Sequence, residues 1–461
     1  MWRGASLWAC LSLSLPLPLC LAADLPGTAL KAGVGRVVIT PPEAVWLAGY
    51  AARTAPSEGV VHDLWAKAIA FEDATGARTV LVTTDLLGLP ASLSQAVAQA
   101  AEERFQLPRE RLALTFSHTH SAPVLLGDRL EDMYGLEGPE RARVAAYTAA
   151  LPGHLLTAIG QALDGLEPVT LTWGQGHCTV AVNRRQYTQQ GVTGGQNPIG
   201  PVDHSVPVLR AARPDGTTLA VVHGYACHCT TLSFQKVCGD YAGFSQVRLE
   251  ERLKGAIALF VAGCGADANP QPRGTLALAE RHGHELAEAV LSVLEGPMTD
   301  ITGPIQAAYR EIPLVFQAPP AREEIQRQLA EGNVYQQRRA RRLLEVLDRG
   351  QALPATYPYP VQYWQFGDRL RVPILAGEVV VDYSLRLKHR YGRDHTWVIG
   401  YANDFVAYIP SVRILREGGY EGGDSMVYFG HHGPWAPTLE DDILDAITAM
   451  AGPALVPDQR R

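Results

Sequence analysis

Short runs rich in β-branched residues recur along this chain, with stretches of helical spacing between them, and that alternation limits the fold more than any other feature. Residues 77–87 (ARTVLVTTDLL), 111–116 (RLALTF), 169–173, 217–225 (TTLAVVHGY) and 256–261 (AIALFV) read as strands. Further strands are expected at 369–375, 396–401 and 406–409. Apolar residues at helical spacing mark 92–105, 148–163, 239–252, 275–294 and 439–450. Strands and helices in this alternation bury their apolar faces against one another, so the expected class is α/β, with mixed β-sheets flanked by α-helices. The 461 residues show no compositional break and no repeat at solenoid spacing, which predicts a single large domain. Residues 322–349 read as one long polar helix, in which Arg338, Arg339, Arg341 and Arg342 are balanced by Glu323, Glu324, Glu331, Glu345 and Asp348 as a solvated face.

Composition removes several classes of function. Apolar residues make up 47% and charged residues 19%, which excludes bulk disorder. The formal charge is -7 and no broad basic face is present, so nucleic acid is not an expected partner. Residues 1–23 carry Arg3, then an apolar run broken by Pro16 and Pro18, then the small pair Ala22-Ala23. This pattern reads as a secretory signal peptide cleaved after Ala22 or Ala23, leaving 24–461 as the mature chain in a secreted or periplasmic location. Five of the seven cysteines lie beyond it, an odd number, and Cys227-His228-Cys229 lacks an accompanying CxxC pair, so buried thiols are the simpler reading.

The residues able to do chemistry follow strands. His118-Thr119-His120 comes directly after 111–116, and on a continuing strand an i, i+2 pair would share a face. His228 ends the run at 217–225 in the same style, and Glu378 follows a glycine after 369–375. Together they supply nitrogen and oxygen ligands of the kind zinc takes, and such a centre suits hydrolysis. Asp85, Asp240 and Asp267 each read as a carboxylate that could orient a ligand histidine; the alternative is turn-making for Asp267 and helix capping, the preferred reading, for Asp240. The glycine- and aromatic-rich stretch 418–433, with His431 and His432, suits a loop over a site.

The segments GVGRVVITPP (33–42), AGY (48–50), SHTHSAP (117–123), Asn183-Arg184, Gly377-Glu378 and GYANDFVAYIP (400–410) occur in an order that resembles the catalytic domain of neutral/alkaline non-lysosomal ceramidases. The resemblance runs from about residue 30 to about residue 440, and the family's additional C-terminal domain is expected to be absent. It implies a zinc-dependent hydrolase of an N-acyl amide, converting a ceramide-like lipid to sphingosine and fatty acid. It implies zinc (Zn2+) held by His118, His228, Glu378 and Tyr408. His120 would transfer a proton, and Arg184 and Tyr420 would polarise the substrate. A small-molecule or lipid substrate, with transient contact to a membrane surface, follows from the same resemblance. One position departs from the family: the turn Gly265-Ala266-Asp267-Ala268-Asn269-Pro270 carries Asn269 where the family has its nucleophilic serine. An amide cannot attack a carbonyl but can donate a hydrogen bond to an oxyanion, which leaves metal-activated water as the expected nucleophile. Hydrolysis of a different amide or ester, or a catalytically silent lipid- or glycan-binding homologue, are the alternative readings.

Overall fold

The computed structural model describes residues 1–2, 30–127 and 133–452. Most of the leader sequence lies outside the described residues. Two five-stranded mixed sheets stack face to face, and each is covered on its outer face by a pair of helices. In the first sheet Lys31–Val38, Trp65–Glu72 and Arg78–Thr84 pair antiparallel in succession, and Leu112–Phe116 then joins Arg78–Thr84 in parallel. In the second, Thr170–His177, Ser205–Ala212 and Thr218–Tyr225 pair antiparallel, and Ile257–Ala262 joins Thr218–Tyr225 in parallel. Strand alternation decides which side chain meets which layer. Ile69 and Phe71 face the opposite sheet, whereas Ala68 and Ala70 face the helix Gly138–Asp164.

That helix lies unusually close to the first strand because Gly33 and Gly35 have no side chains. A Cβ on either would strike the backbone carbonyls of Ala162 or Ala158. The helices Asp240–Arg252 and Leu276–Glu295 pack together over the second sheet. A third, antiparallel sheet of Ile305–Val315, Thr356–Phe366 and Leu370–Leu375 closes the side of the sandwich.

Three expectations need correction. The polar segment at 322–349 is two helices, Arg322–Glu331 and Val334–Asp348. Asn333 caps the second through the backbone amides of Tyr335 and Gln336, and the Gln336 side chain returns the bond to the Asn333 amide. Residues 396–401 form isolated bridges at Thr396 and Ile399 rather than a strand. The run at 406–409 shortens to Tyr408–Ile409, which pairs in parallel with Glu378–Val379. No helix among the described residues is long and apolar enough to cross a membrane.

Candidate metal centre and its two chambers

Each sheet contributes one parallel strand pair, and the loops at the C-terminal ends of those two pairs meet. Such ends are where α/β sheets leave backbone groups free to build a site. His118 follows Leu112–Phe116, and its Nδ1 lies 2.8 Å from the Leu87 carbonyl, which follows the paired strand. His228 follows Thr218–Tyr225, and its Nδ1 lies 3.0 Å from the Gly265 carbonyl, which again follows the paired strand. A bridge between Thr119 and Cys229 joins the two loops.

The approach of His118 and His120 does not come from a continuing strand. The strand ends at Phe116, and His118 adopts a left-handed backbone with φ of 61°. That kink still brings the two Nε2 atoms to 3.2 Å. The nearest ring nitrogens of His118, His120 and His228 all lie within 4.8 Å of one another. Glu378 joins them, with Oε2 3.3 Å from His118 Nε2 and 3.0 Å from His228 Nε2. The parallel pairing of Glu378 with Tyr408 sets their side chains next to each other, and the Tyr408 hydroxyl reaches 3.2 Å from His228 Nε2.

The protonation of this cluster points to a cation. A carbonyl only accepts, so in the neutral rings of His118 and His228 it is Nδ1 that carries the proton and Nε2 that turns its lone pair inward. Burial lowers the His228 pKa to about 4, so this ring is neutral near pH 7. Two lone pairs and a carboxylate converging in a dry pocket repel one another unless a cation sits among them. Two imidazoles, a carboxylate and a phenol form a donor set suited to Zn2+, and carbonyls that fix the outer ring nitrogens are the usual support of metal-bound histidines.

His120 is built differently. Its Nδ1 is buried with no hydrogen-bond partner among the described residues, and its ring rests on the backbone of Gly49. Arg53 fixes its main chain through a 2.6 Å bond to the His120 carbonyl. Burial, reinforced by the adjacent imidazoles, pushes its pKa well below 6.5, so it is a proton acceptor at neutral pH.

Arg184 stands opposite. Its Nε donates to Glu421 Oε1 at 2.7 Å, its Nη2 to the Tyr408 hydroxyl at 2.9 Å, and its Nη1 to Asn269 Oδ1 at 3.4 Å. Tyr420 packs edge-on against Tyr408 with ring centroids 5.2 Å apart, and at 40% exposure it stands at the mouth. All eight residues named from the sequence therefore surround one centre. Two cavities open from it. One, of about 280 Å³, is aromatic and apolar, lined by Leu87, Tyr134, Phe405, Tyr428 and Phe429. The other, of about 790 Å³, is polar and borders His120, Arg184, Asn269 and Arg273.

Other candidates fall elsewhere. Asp85 accepts from the Trp65 amide and Gln246, and Asp240 accepts from the Leu232 and Tyr241 amides. Neither touches His118 or His228, and Asp240 is not the cap: Gly239 takes that position and Asp240 is the first residue of the helix, with φ of 54°. Asp267 ties the altered turn to the strand of Arg184 and to the helix Val381–Tyr391, through Asn183 Nδ2 at 3.1 Å and the Val381 amide at 2.9 Å. His431 and His432 bond to the carbonyls of Val406 and Pro354, packed on Phe316 away from the centre. The stretch at 418–433 folds into short helical turns, and Tyr420, Tyr428 and Phe429 from it line the aromatic cavity. The five described cysteines are buried free thiols. Sequence reasoning missed Gly49, Leu87 and Gly265, whose contributions are backbone atoms, and Glu421, Arg185 and Arg273, which flank the motifs.

The architecture and site define a class: a four-layer α/β sandwich with a candidate metal centre where its two sheets meet. The chain belongs to the neutral/alkaline non-lysosomal ceramidase family, whose N-terminal region matches residues 30–274. It is similar to neutral ceramidase A of Dictyostelium discoideum, 24% identical over 273 residues, 52% of this chain and 36% of that protein. Neutral ceramidase B of the same organism is 23% identical over 257 residues, 50% of this chain and 33% of that protein. The matched region thus spans about a third of the length of these relatives. The fold resembles the crystal structure of neutral ceramidase from Pseudomonas aeruginosa, with a TM-score of 0.71 at 18% identity, covering 94% of this chain and 77% of that one. Glu378, Tyr408 and Tyr420 lie beyond the matched family region.

Proposed function

We propose that this chain is an exported zinc-dependent hydrolase of N-acyl amides, with ceramide-like lipids among its candidate substrates and 24–461 as its catalytic domain. The observation that carries the reading is the pair of carbonyl-anchored imidazoles whose lone pairs converge on one carboxylate. His118, His228, Glu378 and Tyr408 would hold the ion. A divalent cation there supplies Lewis acidity and lowers the pKa of water to roughly 7. Neutral His120 accepts the proton of the attacking water and returns it to the departing amine as the C–N bond breaks, so that the acyl half leaves as a carboxylic acid. Arg184, with Asn269 and Tyr420 beside it, faces the developing oxyanion, and Arg184 stays charged because Tyr408 and Glu421 outweigh the effect of burial. The aromatic cavity receives the acyl group. Export is supported by the leader pattern at 1–23.

Fatty-acid release from a short-chain ceramide is the direct test. The purified protein is expected to release fatty acid, to lose the activity on treatment with a chelator and to regain it with zinc. Release that is indifferent to chelator would sink the zinc assignment.

Gly49→Ala tests the role of His120. Gly49 has φ of 92°, and a Cβ there would occupy the space of the His120 ring. The displaced imidazole should lower kcat by about 10²-fold or more, the range of one general acid-base group. Metal content by elemental mass spectrometry should be unchanged, and a full loss of bound metal would make His120 a ligand instead.

A further inference from the structure

The polar cavity carries a charge that the protein does not balance. Arg184 is paired with Glu421 at 2.7 Å, and Arg185 behind it with Glu421 at 2.6 Å and Glu417 at 3.1 Å. Arg273 has no carboxylate within ion-pair distance among the described residues. The hydrogen bond it makes runs from Nη1 to the Thr230 carbonyl at 3.5 Å. Arg273 lines the cavity together with Asn269, Thr230, Gln196 and Gln271, and Thr230 touches both Arg273 and Asn269.

Asn269 adds donors there. Its Oδ1 accepts from Thr230 Oγ1 at 3.1 Å and from Arg184 Nη1 at 3.4 Å. Arginine only donates, so this contact settles which end of the amide is the oxygen. The Nδ2 end then has no acceptor among the described residues, and it is the end offered to the cavity. A guanidinium fork and an amide N–H converging on a polar cavity form a site for a planar oxyanion. Arg273 is exposed and therefore hydrated, and a neutral sphingoid head would make no ion pair with it, whereas an anionic one would.

We propose that this cavity is a subsite for an anionic group, so that the preferred substrates are N-acyl amides whose amine half carries an oxyanion such as a carboxylate. Arg273 provides the charge and Asn269 a directed N–H, with the acyl half in the aromatic cavity across His120. The proposal rests on the amide-hydrolase reading and adds the class of substrate. It also gives Asn269 a second use beside the reacting oxyanion: its Nδ2 carries two hydrogens, so at the serine position an amide serves as a donor where a hydroxyl would serve as a nucleophile.

A set of amides with one acyl chain and different amine halves tests it: decanoyl-glycine, decanoyl-phosphoethanolamine, decanoyl-ethanolamine and decanoyl-ethylenediamine. The zinc-loaded protein should favour an anionic member over the neutral one by about 10-fold or more in kcat/KM, the worth of one charge-assisted hydrogen-bond pair. Comparison of the glycine and phosphoethanolamine members tells carboxylate from phosphate. R273Q should collapse the anionic-to-neutral ratio towards unity, mainly through KM, and R273E should move the preference to the cationic member. Equal kcat/KM for anionic and neutral members, or a preference unmoved by R273E, overturns the subsite. Turnover of none of the four and of no ceramide overturns the hydrolase reading instead. Calorimetric binding of decanoyl-glycine then decides the subsite alone: about 10-fold weaker binding to R273Q upholds it, and equal binding overturns it.

Discussion

Replacing His228 by Ala is expected to abolish both metal binding and amide hydrolysis. The imidazole is fully buried, and its two nitrogens have separate tasks: Nδ1 is held by the Gly265 carbonyl and Nε2 faces Glu378 and Tyr408. Alanine removes one of the four proposed ligands and leaves Glu378 without the imidazole 3.0 Å from its Oε2. Bound zinc should fall below about a tenth of an equivalent and kcat/KM by more than about 10³-fold, since the water-activating centre goes with the ligand. His118→Ala should match it, because the Leu87 carbonyl and Glu378 hold that ring in the same way. Metal analysis and initial rates on one amide, with circular dichroism to establish folding, provide the check. A folded variant that keeps zinc and turnover would remove His228 from the centre.

The legible part of this site was the part carried by side chains placed directly after strands. His118, His228 and Glu378 each follow an apolar run in the sequence, and in the fold each lies two or three residues beyond the end of a strand, with Glu378 opening the short strand Glu378–Val379. Strand periodicity also gave the four-layer class its elements, since runs such as AIALFV are buried on both faces. The geometry between those positions was not legible. An i, i+2 rule accounts for two histidines on one face only if the strand continues, and here a left-handed residue at His118 does that work. The carbonyls of Leu87 and Gly265 orient the ligands with atoms that every residue possesses, so no residue type marks them. The expectation of one long polar helix fails for a local reason. Residue period ran through Gly332-Asn333, but Asn333 with Gln336 is a capping box, which starts a new helix wherever its bonds outweigh continuation.

Arg185 illustrates a residue whose neighbour attracted the attention. A register shift between Asn183 and Arg185 against the strand Gly191–Asn197 disturbs alternation, and consecutive arginines both reach Glu421 from different sides. Arg184 faces the cavities, whereas Arg185 is 2% exposed and donates to Glu421, Glu417 and the Gly418 carbonyl. Glu421 therefore bridges the two guanidinium groups, with Oε1 on Arg184 and Oε2 on Arg185. Arg185→Met should destabilise the fold by about 1–3 kcal/mol, the cost of leaving Glu421 Oε2 and the Gly418 carbonyl without their buried donor. Glu417 retains Arg413 and the Tyr187 hydroxyl, so the loss concentrates on Glu421 and the helical turns that carry Tyr420. Arg185→Lys should recover only part of it, since an ammonium cannot span both carboxylates with a planar fork. Denaturant titration of the three proteins reads the stability. If Arg185→Met shifts it by less than about 1 kcal/mol, the range of an exposed pair, then Glu421 is held by Arg184 alone and the second arginine is dispensable.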